Sequence, residues 1–296
     1  MSPEGLSQIV LPWVLASVMA AMGLSLTKND FSQTWRQPRR LWLGTGLQII
    51  ALPLLAWGVV ALLPLSPSAA AGLLLVSLVP GGATSNMFSY LVQGDLALSV
   101  SLTAIAAFLA PFTLPLIMGW NLEMLGLSTP ELNLPYWPTV GKLLLVTLVP
   151  VMAGMLLRQI IGTPLLEWLL PKIRKVTGAA MIGVIIALFV SFSPRLPSLF
   201  SIETLSVLLL CIVSMTLGHI VASSLRLPKA SARAITVEIG VQNAGVAMMV
   251  AFNILKQPEI GLVPLLYGLL MNMPVIVWIL TCLWIDKQRS CTLKRT

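Results

Sequence analysis

The two stretches that decide the fold are Pro80-Gly81-Gly82-Ala83-Thr84-Ser85-Asn86 and Glu238-Ile239-Gly240-Val241-Gln242-Asn243-Ala244-Gly245. Each interrupts a hydrophobic segment that is long enough to cross a bilayer. Opened backbone at membrane depth is tolerated only where it lines a cavity or is buried in protein. Two such interruptions, one in each half of an apolar chain, indicate an ion or solute site near the membrane midplane.

Composition and hydropathy indicate an all-α, polytopic membrane protein. Of the 296 residues, 57% are hydrophobic and 9% are charged, whereas soluble domains carry about a quarter charged residues. Windows of about 19 residues predict about nine transmembrane helices, at residues 7–27, 40–63, 67–90, 96–118, 139–160, 175–193, 202–224, 232–254 and 261–285. Little remains for a soluble domain, so we expect residues 1–296 to form a single transmembrane unit.

The positions of the basic residues predict orientation and do not indicate a nucleic-acid partner, despite a net charge of +8. With the amino terminus outside and the carboxyl terminus in the cytoplasm, only Arg195 and Lys256 face outward, and Lys142 lies near an outer end. The remaining basic residues are all cytoplasmic: Lys28, Arg36, Arg39, Arg40, Arg158, Lys172, Arg174, Lys175, Arg226, Lys229, Arg233, Lys287, Arg289, Lys294 and Arg295. This asymmetry follows the positive-inside rule. Glu4 precedes the first segment and a basic residue follows it, the reverse of a signal peptide, so we expect a mature helix there.

The order of the segments predicts an inverted repeat. The third segment runs inward and the eighth outward, and both are broken near the centre, so the broken helices are antiparallel. A broken helix leaves free carbonyls at the end of its first half and free amides at the start of its second. The carbonyls near Val79 and residues 238–241 suit a cation, and the amides after Ser85 and Asn243 suit a carboxylate.

Glu238 is the only carboxylate well inside a predicted span, and such a residue is a functional-site candidate. A purely structural carboxylate, protonated or bonded to neighbouring amides, is the alternative. Further oxygens come from Ser85, Asn86, Ser99 and Thr103, and they suit a hard cation if they converge on Glu238. Taken singly, each hydroxyl could instead bond its own helix backbone.

Other polar residues in the spans leave alternatives open. Gln48 and Asn272 suit either a ligand or an interhelical hydrogen bond. His219, the only histidine, is interpreted as a packing or hydrogen-bonding residue. The lone histidine, the absence of paired mid-span aspartates and the lack of metal-ligand spacing argue against an enzyme, and we expect no organic cofactor.

Three motifs in this order resemble the bile acid/sodium symporter family, in its bacterial, nine-span form. They are the stretch 80–86, the segment Gly94-Asp95-Leu96-Ala97-Leu98-Ser99, and Glu238-x-Gly240-x-Gln242-Asn243-x-Gly245. The resemblance, over residues 7–285, implies a sodium/proton-antiporter-like fold with two crossing broken helices. It also implies a core domain at about 40–118 and 202–285, and a panel domain at about 7–27 and 139–193.

The resemblance further implies two sodium sites and a substrate site. The first sodium site would match Ser85, Asn86, Ser99, Thr103 and Glu238. The second would match Gln48, Glu238, Gln242 and the backbone oxygens of Ile239 and Val241. The substrate-binding positions would be Ala83, Thr84, Asn243 and Asn272, with Ala83 standing where relatives carry Thr.

The expected function is therefore sodium-coupled uptake of a small organic anion by alternating access across a bacterial inner membrane. Pantoate-like acids, keto acids and bile-acid-like carboxylates remain open as substrates, and no obligate protein partner is expected. The alternative is a proton-coupled anion carrier or exchanger in which Glu238 titrates. A channel or sensor is a third reading, which the inverted broken helices disfavour.

Overall fold

The structure is a computed structural model that describes residues 5–26, 37–127, 134–161, 163–195 and 201–293. Within these ranges the chain is all-helical, as predicted. The helices are α1 (Leu6–Ser25), α2 (Pro38–Leu62), α3 (Pro67–Ser77), α4 (Ala83–Leu91), α5 (Leu96–Met124), α6 (Tyr136–Ile160), α7 (Thr163–Phe192), α8 (Ile202–Ser224), α9 (Lys229–Gly240), α10 (Ala244–Met249, continued by a π-helical turn at Val250–Ile254), α11 (Pro258–Leu270) and α12 (Asn272–Leu293).

The number of membrane crossings agrees with the prediction of about nine. Eight helical segments among the described residues are long and apolar enough to span a membrane, and α9 with α10 counts as one of them, as does α11 with α12. The short apolar helix α3 leads into α4 across the first break and supplies the remaining crossing. The basic residues Lys28, Arg36, Lys294 and Arg295 of the orientation argument lie outside the described residues.

The clearest difference from the sequence-based boundaries concerns α7. Its helix begins at Thr163, whereas hydropathy places the start of the span at residue 175. The extra turns carry several charges, which lower the mean hydropathy without opposing a helix. Lys172 lies 3.1 Å from the centre of the Trp168 ring one turn earlier, so a charged side chain is accommodated on the helix surface.

The two broken helices cross at the centre of the molecule. The Asn243 backbone N–H of the second break donates to the Pro80 carbonyl of the first, at 3.1 Å. In the most apolar window of Lys229–Ile254, 94% of the residues are buried, compared with 17% for α7. The opened backbone is therefore enclosed by protein, the condition under which it is tolerated in a membrane.

Helices α6 and α7 each pack against α1 at the side of this crossing. Two glycines allow α1 and α6 to approach closely: a Cβ at Gly23 would lie 2.0 Å from the Val151 carbonyl oxygen, and a Cβ at Gly154 would lie 2.2 Å from that of Ala20. Close backbone approach through small residues is a main source of helix association in lipid. Helices α1 and α6 thus form a tightly packed pair.

Charged side chains hold the ends of the helices that lead into the breaks. Arg233, near the start of α9, is buried and donates to the Val92 carbonyl after α4 and to Asp286 on α12, at 3.1 and 2.8 Å. Asp95 begins α5 by accepting from the Leu98 N–H, and its backbone N–H donates to a carbonyl of α9. The approach of α9 to α4 and α5 is therefore fixed before the chain reaches Glu238.

Candidate cation site at the helix crossing

Glu238 lies in the last turn of α9 with 3% of its surface exposed. None of the ion pairs in the described part of the chain includes it. A buried carboxylate without a cationic partner is costly unless it is neutralised or surrounded by donors. The contacts around it decide what could neutralise it.

The hydroxyls of α5 meet this carboxylate. Ser99 Oγ lies 3.0 Å from Glu238 Oε2, and the Thr103 hydroxyl donates to Glu238 Oε1. Asn86 of α4 joins them, because its Oδ1 lies 2.9 Å from Ser99 Oγ. A Cβ at Gly81 would lie 2.7 Å from Glu238 Oε1 and 2.8 Å from the Ser85 hydroxyl. The structure therefore brings together Ser85, Asn86, Ser99, Thr103 and Glu238.

Oxygen atoms outnumber protons in this cluster. The single hydroxyl proton of Ser99 faces three acceptors at 2.9 to 3.0 Å, on Asn86, Ser89 and Glu238. The Thr103 hydroxyl likewise lies near Glu238, Asn86 and its own-helix Ser99 carbonyl. A hydroxyl donates one proton, so several lone pairs converge without a donor. This all-oxygen donor set fits a hard cation such as sodium.

A second group of oxygens surrounds Gln48 on α2. Gln242 Nε2 donates to the Ile239 carbonyl at 2.6 Å, which leaves its Oε1 to accept from Gln48 Nε2 at 2.8 Å. The other atom of the Gln48 amide, Oε1, is buried, and none of the described residues donates a hydrogen bond to it. An unpaired buried oxygen costs about 1–3 kcal/mol, and coordination of a cation would remove that cost. Two of the three side chains expected at the second sodium site, Gln48 and Gln242, are thus in contact.

The backbone carbonyls at the end of α9 do not all stay free. Ile239 O accepts from Gln242, and Gly240 O accepts from the buried Tyr267 hydroxyl of α11 at 3.0 Å. Val241, the other backbone position expected at the second site, is fully buried. The Tyr267 hydroxyl therefore fixes one carbonyl of the opened segment and leaves fewer for an ion.

No hydrogen bond among the described residues joins two of the four expected substrate positions. Asn243 Oδ1 caps α10 by accepting from the Val246 N–H at 3.3 Å, while its Nδ2 faces Gly82. Ala83 and Thr84 are exposed at the start of α4. Asn272 Nδ2 bonds back to the Gly268 and Leu269 carbonyls, at 3.0 and 2.9 Å, near the turn between α11 and α12.

A cleft of about 370 Å³ lies beside the crossing. One wall comes from Pro80, Gly81 and Asn243 of the two breaks, and the opposite wall from α1 and α6. The residues that line the cleft are Met19, Met22, Pro80, Gly81, Ala107, Ala110, Pro111, Leu114, Leu143, Thr147, Asn243 and Val246. Of the four expected substrate positions, only Asn243 is among them. The cleft thus joins the opened backbone to an otherwise apolar wall.

Sequence reasoning missed two residues at this centre. Ser89 lies one turn after Asn86, is fully buried, and places its Oγ 2.9 Å from Ser99 Oγ. Its spacing of three residues from Asn86 puts both on one face of α4, which is the signal that could have found it. Tyr267 had no comparable signal, because its distance from Gly240 in the chain hides the contact.

Comparison with known proteins gives the same assignment as the motifs. The model of the sodium bile acid symporter family matches residues 12–201. The chain belongs to this family. It is 30% identical over 80% of its length to an uncharacterised sodium-dependent transporter, YocS, of Bacillus subtilis, covering 72% of that protein.

Eukaryotic relatives of the family align over similar lengths of this chain. A probable chloroplastic sodium/metabolite cotransporter, BASS1, of Arabidopsis thaliana is 31% identical over 85% of the chain, which spans 62% of that protein. The human ileal sodium/bile acid cotransporter is 27% identical over 88% of the chain and 74% of its own length. These relatives of the symporter family are transporters and not enzymes.

Proposed function

We propose that the chain is a symporter that couples two sodium ions to the uptake of a small organic anion. The observation that carries this proposal is the convergence of Ser85, Asn86, Ser99 and Thr103 on the unpaired Glu238 carboxylate beside the helix crossing. The family relationship supports sodium as the coupling ion. The first ion binds at this cluster, and the second binds at Glu238, Gln48, Gln242 and the Ile239 and Val241 carbonyls.

Charge balance explains the preference for an anion. Two sodium ions and one carboxylate leave a net charge of about plus one, which an anion neutralises without a basic residue in the site. The first amides of α4 and α10 both lie at the crossing and present the positive ends of their helices. The anion occupies the cleft, with its carboxylate toward Gly81 and Asn243 and its apolar part toward the methionines of α1.

The two walls of the cleft belong to two groups of helices that can move against each other. Helices α2 to α5 and α8 to α12 act as the core domain, and α1, α6 and α7 act as the panel domain. Rocking of the core against the panel exposes the cleft to alternate sides, with the protein in a bacterial inner membrane and its amino terminus outside. The substrate class that we propose is a small carboxylate, such as a pantoate-like or keto acid.

Uptake into proteoliposomes tests the coupling. With a tenfold inward sodium gradient, two ions supply about 2.8 kcal/mol, and one net charge adds about 2.3 kcal/mol per 100 mV. We expect concentrative uptake of a small carboxylate from a panel of candidates, driven by sodium and increased by an inside-negative potential. Uptake that persists when choline replaces sodium under a pH gradient would contradict sodium coupling and favour proton coupling through Glu238.

Replacing Gln48 by Leu tests the second ion. The variant removes an amide oxygen and a donor to Gln242, which weakens sodium binding by about 1.4 kcal/mol or more, equivalent to at least a tenfold loss of affinity. The Hill coefficient for sodium in uptake should fall from about two toward one. Gln257→Leu, at a helix start where the side chain makes no capping bond, is the control and should match the parent protein. An unchanged Hill coefficient in Gln48→Leu would remove Gln48 from the ion site.

A further inference from the structure

A second cavity lies on the other side of Pro80 from the cleft. It lies between α2 and α5 and measures about 270 Å³ with its open side included, and it is called the α2–α5 groove below. Gln48, Ser77 and Thr113 supply its polar side chains, and small residues of α5 such as Ala106 line the wall. Pro80 and Ala110 border both this groove and the cleft, so the two spaces are neighbours separated by the backbone of the first break.

Burial along the α2–α5 groove gives it a direction. Along α5 the lining residues change from buried at Ala106 and Ala110 to half-buried at Thr113 and Ile117. On this helix the groove thus opens toward the end of α5, while Gln48 and Ser77 are buried and Ile49 is half-buried at its other end. In the orientation inferred from the basic residues, its open end is on the outer side.

The polar atoms show what the groove can hold. At the end away from this opening, Gln48 is 5% exposed and its Oε1 accepts no hydrogen bond from the described residues. The Ser77 hydroxyl donates to the Leu74 carbonyl of its own helix, so its lone pairs remain as acceptors. A lipid chain in the groove would leave the Gln48 oxygen unsatisfied, whereas water or a partly hydrated cation would satisfy it. The contents favoured by this chemistry are therefore water and a cation.

We propose that the α2–α5 groove is the path by which the sodium ion of the Gln48 site exchanges with the outer solution, separately from the substrate cleft. The proposal rests on the sodium coupling proposed above. A cation that enters through the cleft has to pass Gly81 and Asn243, where the anion binds. A cation in the groove reaches Gln48 directly, so this ion can exchange while the anion is bound.

Two threonines form a matched pair for the test. Thr113 lines the groove and Thr147 lines the cleft. Among the described residues, each hydroxyl donates to a carbonyl of its own helix, that of Leu109 at 3.2 Å and that of Leu143 at 2.7 Å. Replacement of either by Cys therefore removes an equivalent interaction. The background protein has its three native cysteines replaced, and its sodium-driven uptake is measured first, which tests the coupling separately from the path.

Labelling is measured in lipid nanodiscs, where both membrane faces meet water, with a positively charged, water-soluble methanethiosulfonate reagent. Thr113→Cys should react, and sodium at ten times its dissociation constant should slow the reaction about tenfold by simple occupancy. Potassium at the same concentration should give no such protection. Ala106→Cys, deeper in the groove, should show the same sodium protection, and Ile117→Cys at the open end replaces Thr113→Cys if that variant does not fold.

Two results would overturn the separate path. In the first, the groove variants fail to react while Thr147→Cys does, which means that the groove is sealed or filled with lipid. In the second, the groove variants react at a rate that sodium leaves unchanged. Either result leaves sodium-driven uptake by the background protein intact, whereas loss of that uptake would count against the symport proposal instead.

Discussion

Glu238→Gln is expected to raise the sodium concentration needed for half-maximal uptake by about three orders of magnitude. A unit charge at 4 Å from a sodium ion contributes about 4 kcal/mol at an effective dielectric constant of 20, and each 1.4 kcal/mol corresponds to a tenfold change in affinity. Because the same carboxylate serves both proposed ion sites, sodium-dependent uptake should be undetectable at ordinary salt concentrations. Sodium titration of uptake in proteoliposomes measures this effect.

The Glu238→Gln variant is expected to fold, so a loss of sodium dependence can be assigned to the missing charge. The glutamine carboxamide oxygen can still accept a hydrogen bond from the Ser99 or Thr103 hydroxyl, so the variant should insert and purify like the parent protein. Glu259→Gln is the matched control, because Glu259 lies at the start of α11 and contacts only the exposed Ser68 hydroxyl among the contacts that the structure gives it. Sodium should raise the unfolding temperature of the parent protein and of the control, but not of Glu238→Gln. Concentrative, sodium-dependent uptake by Glu238→Gln would remove the carboxylate from the coupling mechanism.

Hydropathy predicted most of the fold, because lipid imposes a strong constraint on each span. The two helix breaks could be predicted for the same reason, because Pro80 and the polar run after Glu238 are incompatible with an unbroken, lipid-facing helix at membrane depth. Hydropathy did not predict the first turns of α7, because the charged residues near Lys172 lower the mean hydropathy without preventing a helix. The turn at Met271, which separates α11 from α12, falls inside the single span predicted at 261–285. It lies three residues before Pro274, which cannot donate a backbone hydrogen bond in a helix.

The candidate site was less accessible to sequence reasoning. The oxygens on α4 and α5 were identified as residue types, but their convergence on Glu238 depends on contacts between residues more than a hundred positions apart. Spacing on one helix predicts a shared face, and it says nothing about which other helix meets that face. For this reason Tyr267 could not be found from the sequence, and Asn272 could not be placed relative to the cleft.

Gly81→Ala is expected to lower the sodium affinity of the first ion site by a steric effect, without removing any ligand. The added Cβ would lie 2.7 Å from Glu238 Oε1 and 2.8 Å from Ser85 Oγ, closer than these atoms can approach without moving. Forcing an extra methyl group into a packed interior costs about 1–3 kcal/mol. If the carboxylate turns away to relieve the contact, sodium affinity should fall by about 10- to 100-fold. Sodium titration of uptake and sodium-dependent thermal shift both report this change.

Two neighbouring comparisons make the result specific. Gly119→Ala, in α5, adds a Cβ with no atom within 4 Å, so it should leave uptake unchanged. At Gly82 the added Cβ would lie 3.2 Å from Asn243 Nδ2, and this amide can shift slightly. Because Asn243 lines the cleft and makes no hydrogen bond to Glu238 among those of the described residues, Gly82→Ala should raise the KM for the anion and leave the sodium dependence unchanged. Equal effects of Gly81→Ala and Gly82→Ala on sodium affinity would mean that the break acts as one rigid unit and that the ion and anion sites cannot be separated along it.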